Sequence, residues 1–177
     1  MATQINNDLT KKYSNGTMLM HWLTVACIAI LIPTGLLMVD SNSEYQKLFL
    51  YNLHLSIGIA VFFISLLRVW FFFKTPRPAK LKTGNALHNK LIVAVEYSFY
   101  LILLLLPFTG IGIMFTTDLY STFPTSLPQN MDSGLIRPHK FLSYVLISLF
   151  VLHIAGIFMH LIKHKENTLK RILPIKS

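Results

Sequence analysis

Charge is scarce in this chain, and acidic charge scarcest: seven aspartates and glutamates stand against 16 lysines and arginines among 177 residues. Charged residues make up 13% of the sequence, hydrophobic ones 53%, and the mean hydropathy is +0.54. So few polar side chains cannot coat a soluble domain of this size. There is one cysteine, Cys27, inside an apolar run, which excludes a disulfide framework. No internal repeat, low-complexity tract or second domain is visible. The formal charge of +9 has no soluble basic domain to carry it, so nucleic acid is excluded as a partner.

What the sequence does have is length of apolar run. Four stretches, roughly 17–39, 51–73, 91–115 and 141–162, reach the 20 or so residues that a helix needs to cross a hydrocarbon core of ~30 Å. The fold class expected is an all-α membrane protein: one domain over 1–177, folded as a four-transmembrane-helix, up-down-up-down bundle in a lipid bilayer. The first run is too long for a signal-peptide core and no small-x-small site follows it, so it is expected to stay as an anchor. Basic residues collect before span one (Lys11, Lys12), between spans two and three, and after span four (Lys163, Lys165, Lys170, Arg171, Lys176). The other two loops hold Lys47, Arg137 and Lys140 beside Asp40, Glu44, Asp118 and Asp132. By the positive-inside rule both termini are cytoplasmic, in a multi-pass protein of a bacterial inner membrane.

Histidines interrupt these runs in a pattern. His139 and His153 stand fourteen residues apart in the last span. On a helix this step falls about 40° short of four turns and rises ~21 Å, so both rings share a face. His160 is seven residues further on and about 20° short of two turns, so it joins the stripe. In span two His54 and Arg68 are again fourteen apart. His21 lies about one turn into span one, ahead of Trp22, which reads as an interface anchor. Gly58, one turn past His54, predicts either close helix packing or room for a flat ligand, packing being the commoner reason.

Span three carries no histidine between 91 and 115; its one charge is Glu96, expected to pair with Arg68 or His160, to carry protons, or to reach the interface. His88 reads as a solvated residue of the preceding loop and His164 as part of a basic interfacial tail. Pro33 with Gly35, and Pro107 with Gly110 and Gly112, predict bends and thin packing surfaces. The polar segment after span three, with two prolines, is expected to be irregular. Arg137 and Lys140 flank His139 and lend it a positive potential.

Taken by depth, the histidines fall into two pairs. His54 and His139 both begin spans descending from the outer face, whereas His21 and His153 meet in the inner half. Two imidazole pairs, one per leaflet, match the requirement of two bis-histidine b-type haems, each iron taking a neutral nitrogen donor from either side. Arg68 taken alone reads as snorkelling to the cytoplasmic headgroups; turned inward, it would suit a haem propionate. The residues alone also leave open a divalent-metal or proton-transport site, or plain polar contacts between helices. Neither histidine pair has a carboxylate or cysteine placed to complete a transition-metal site.

The chain resembles the bacterial four-helix dihaem cytochrome b561 proteins. The likeness runs through MHWL at 20–23, NLHLSIGI at 52–59 with Arg68, LLPFTGIGIM at 105–114, His139, His153 and His160, and KENTLKRILP at 165–174. It departs early in span three, where relatives carry a histidine and this chain has Glu96. The resemblance implies an outer haem b held by His54 and His139, an inner one held by His21 and His153, and a role for His160 at a quinone or at haem propionates. It implies electron transfer between a periplasmic donor, superoxide being the leading one, and ubiquinone or another quinone. It also brings an alternative: the membrane cytochrome subunit of a larger hydrogenase or dehydrogenase.

Overall fold

The computed structural model describes residues 12–78, 86–163 and 168–173. Lys11, His164, Lys165 and Lys176, named above for their charge or position, lie outside these residues. Four long helices form the body: α1 (Asn15–Asp40), α2 (Glu44–Lys74), α3 (Ala86–Thr116) and α5 (Ile136–Lys163). A single turn, α4 (Leu119–Thr122), interrupts the segment after α3 that was expected to be irregular, and a 3-10 turn covers Thr168–Arg171. All four long helices are apolar and long enough to span a bilayer.

Local chemistry sets the helix ends. Ser14 caps α1 by accepting the Thr17 amide at 3.2 Å, and Ser43 caps α2. Helix α2 stops at Lys74 because Thr75 precedes Pro76, and a residue before proline is driven from the helical region. Pro138 in the first turn of α5 is tolerated where no intrahelical donor is needed. Helix α3 begins at Ala86, earlier than the apolar run from 91 indicates, since its first turn is polar. Inside the spans, hydroxyls bond back to their own helix: Thr24 donates to the Met20 carbonyl at 2.7 Å and Thr34 to that of Ile30 at 2.8 Å.

Among the described residues close backbone packing joins α1 to α2, α2 to α3, and α3 to α5, with no comparable packing of α5 on α1 or α2. Two ends can be named without reference to a membrane: a proximal end, where α1 starts and α5 finishes, and a distal end, where α4 lies. At mid-depth Ile28, Val61, Ile102, Leu103, Leu146 and Leu149 form a buried apolar layer, against which Cys27 packs as a small hydrophobic residue. Large apolar side chains such as Phe63, Leu101 and Phe158 point outward, as lipid-facing residues do.

The residues just before α1 and those of the 3-10 turn meet at the proximal end. Trp22 donates its indole N–H to the Ile172 carbonyl at 3.0 Å, and the Tyr13 amide donates to the Arg171 carbonyl at 3.1 Å. Trp22 therefore ties α1 to the tail as well as lying at the helix end. At the distal end Asn52 donates to the Pro124 carbonyl at 2.7 Å, fixing the segment after α4 to α2.

Candidate functional site

At the distal end His54 of α2 and His139 of α5 face each other with ring centroids 6.3 Å apart and ring planes at 71°. Two imidazoles bound to opposite sides of one metal would have centroids about 6 Å apart, from bonds of about 2 Å on each side plus the half-width of each ring. Both rings are tied on their Nδ1 side: Thr34 Oγ1 of α1 lies 3.2 Å from His54 Nδ1, and Thr109 Oγ1 of α3 lies 2.8 Å from His139 Nδ1. All four helices thus meet at this pair. Glycines stand beside both rings, since a Cβ at Gly35 would come within 3.0 Å of His54 Cε1 and one at Gly110 within 3.3 Å of His139 Cε1.

The proximal pair comes from α1 and α5. His21 packs edge-on against Trp22, and His153 edge-on against Phe99, both with centroids 5.6 Å apart. Arg68 acts electrostatically on both histidines, and His153 on His21. The guanidinium is turned into the bundle: Nη1 donates to Thr24 Oγ1 at 3.3 Å and Cζ sits 5.5 Å from the centre of the Tyr100 ring. Its Nε, and the Ser65 hydroxyl one turn earlier on α2, are buried without a hydrogen-bond partner among the described residues. Buried donors left so are costly. Both fit a carboxylate entering from a bound group.

Space accompanies both pairs. A Cβ at Gly58, one turn past His54, or at Gly156, one turn past His153, would meet nothing within 4 Å. Among the described residues none packs closely against Gly58, so of the two expectations there it is room for a flat ligand that fits. Among the described residues no group of three or more His, Cys, Asp and Glu could hold a metal ion. A site offering only two imidazoles suits a metal whose remaining ligands come from a macrocycle. The residues present therefore fit haem at both levels.

The reading of His88 changes, and Glu96 gains a partner that the sequence did not indicate. His88 is not a solvated loop residue: α3 starts before it, and its Nε2 lies 3.3 Å from Nε2 of His160. Glu96 has the Arg77 guanidinium as one of its partners, and Arg77 also lies over the Phe72 ring. Chain turning at Pro76 and Pro78 brings Arg77 back over α3, a reversal with no signature in helical periodicity. Residues missed from the sequence are Thr34 and Thr109, whose signal was a Thr-Gly pair shortly after a helix proline, present in both α1 and α3.

Residues 12–174 match the family model described as prokaryotic cytochrome b561. The chain is also similar to a protein of Yersinia pestis named probable superoxide oxidase CybB, 25% identical over 173 residues that cover 94% of this chain and 98% of that one.

Proposed function

Because the chain belongs to the prokaryotic cytochrome b561 family, we propose that it is a dihaem electron carrier of the bacterial inner membrane, moving electrons between a periplasmic donor and the quinone pool. His54 and His139 hold the distal haem b, facing the periplasm, and His21 and His153 hold the proximal one. The observation that carries this reading is the distal pair: two imidazoles on different helices, 6.3 Å apart between centroids, each tied at Nδ1 by a threonine hydroxyl. The similar protein named a probable superoxide oxidase makes superoxide the leading donor.

Bound haem supplies a one-electron carrier at each level, and the chain supplies ligands, spacing and dryness. One helix, α5, offers a ligand at both levels, fourteen residues or ~21 Å of rise apart. The layer of Ile28, Val61, Ile102, Leu103, Leu146 and Leu149 keeps water from the space between. Arg68 and Ser65 offer donors to an inner propionate, and a quinone accepts electrons beside His160 at the proximal end.

The test is a reduced-minus-oxidised visible spectrum of the detergent-purified chain with haem quantified per polypeptide. Two low-spin b haems are expected; a colourless protein, expressed with haem supplied, overturns the proposal. In proteoliposomes, superoxide generated outside should then reduce a quinone analogue, and failure to do so removes superoxide as donor.

A further inference from the structure

We propose that Thr34 and Thr109 are positioning residues of the distal haem, each holding its histidine as the Nδ1–H tautomer so that both Nε2 lone pairs are presented to one iron. A neutral imidazole carries a single N–H, and the partner of one ring nitrogen decides what the other can do. Thr34 Oγ1 lies 2.8 Å from the Ile30 carbonyl and 3.1 Å from that of Leu31, as well as 3.2 Å from His54 Nδ1. Thr109 Oγ1 lies 2.7 Å from the Leu106 carbonyl and 2.8 Å from His139 Nδ1. Carbonyl oxygens only accept, and a hydroxyl has one proton. With that proton on its own helix, each threonine offers its histidine a lone pair, and Nδ1 donates.

The following glycine lets the device work. At position 35 a Cβ would stand 3.0 Å from Cε1 of the ring that Thr34 holds, and at 110 it would stand 3.3 Å from that of His139. A side chain at either place would press on the ring and make it give by a few tenths of an ångström. The Thr-Gly unit occurs once on α1 and once on α3, the two helices that give no distal histidine. Among the described residues no hydrogen bond of this kind reaches the rings of His21 or His153, so the two haem levels differ. Donation from Nδ1–H makes an imidazole a more basic ligand and favours ferric over ferrous iron.

This role rests on the dihaem reading, but the tautomers belong to the ligand-free chain and can be read there. Nitrogen-15 NMR of the histidine-labelled, haem-free full chain in detergent should show Nδ1–H at His54 and His139. Thr34→Val should lower the Nδ1–H population at His54 and Thr109→Val that at His139, the Leu31 and Leu106 carbonyls remaining as acceptors, while Thr34→Ser and Thr109→Ser keep it. In the haem-loaded chain each valine variant should loosen the distal haem roughly 10- to 100-fold. It should also raise the distal potential, by about 59 mV for each tenfold loss of preference for ferric iron, leaving the proximal haem unmoved. An Nε2–H tautomer in the wild type, or a distal potential indifferent to valine, overturns the role of the threonines alone; a chain that binds no haem overturns the dihaem reading.

Discussion

His88, in the first turn of α3, and His160, in the last turn of α5, meet Nε2 to Nε2 at 3.3 Å with their rings tilted by 44°. One ring donates and the other accepts, and His160 is 6% exposed. The contact clasps α3 to α5 at the proximal end. Replacing His88 by alanine should cost the net worth of a hydrogen bond, about 0.5–1.5 kcal/mol. The unfolding midpoint in detergent should fall by a few degrees, roughly 2–4 °C per kcal/mol for a chain of this size. His88→Gln, which can still bond, should recover most of it. An unchanged midpoint in His88→Ala would show that the contact adds nothing.

Haem content separates the two ligand pairs. On the proposed dihaem reading, His54→Ala and His139→Ala should each lower the haem count from two per chain to one and remove the same spectral component, because the two rings lie 6.3 Å apart between centroids. His21→Ala and His153→Ala should remove the other. His160→Ala should leave both haems in place and slow quinone reduction; loss of a haem would instead make His160 part of a haem pocket. Two variants of one pair removing different components would break the pairing.

The bundle was legible because each helix advertises itself through about 20 apolar residues, and fourteen-residue steps in α2 and α5 carry depth directly. Depth pairing of His54 with His139 needed only helix geometry and alternating direction. The threonines were hard to single out: a mid-helix hydroxyl bonds its own i−3 or i−4 carbonyl wherever it occurs, and packing reveals that Thr34 and Thr109 also face rings on other helices. His88 was misplaced for a different reason. The first turn of α3, with Asn89 and Lys90, is polar, and hydropathy cannot tell a helix emerging from a membrane from a loop. Arg77 reaches Glu96 through a proline-flanked reversal, again invisible to periodicity.

Arg68 places a positive charge beside His21 and His153, with no carboxylate paired to it among the described residues. A nearby cation favours the reduced, less positive iron. Arg68→Gln should therefore lower the proximal potential, on the order of 1 kcal/mol or 50 mV for one electron at an effective dielectric constant near 20. Arg68→Lys should lower it less. Redox titration of both haems decides the matter: a fall at the distal haem with none at the proximal one would mean that Arg68 does not serve the inner site.

Arg137 and Lys140 are both exposed on the first turns of α5, on either side of His139. The rest of that end is not basic, since Asp40, Glu44, Asp118 and Asp132 are exposed there too. Attraction of an anionic donor is thus a local effect of two side chains, not of the surface as a whole. Local steering acts on encounter rate and fades as salt shortens the screening length from about 30 Å at 0.01 M to about 10 Å at 0.1 M. The double change Arg137→Gln with Lys140→Gln should slow reduction by superoxide roughly tenfold at low ionic strength, the lower end of steering effects. It should also flatten the salt dependence and leave reduction by an uncharged donor as it was. Stopped-flow reduction at two salt concentrations separates the cases: equal slowing with charged and uncharged donors would mean that the substitutions disturb the haem site, and an unchanged low-salt rate would mean that the two cations do not guide the donor.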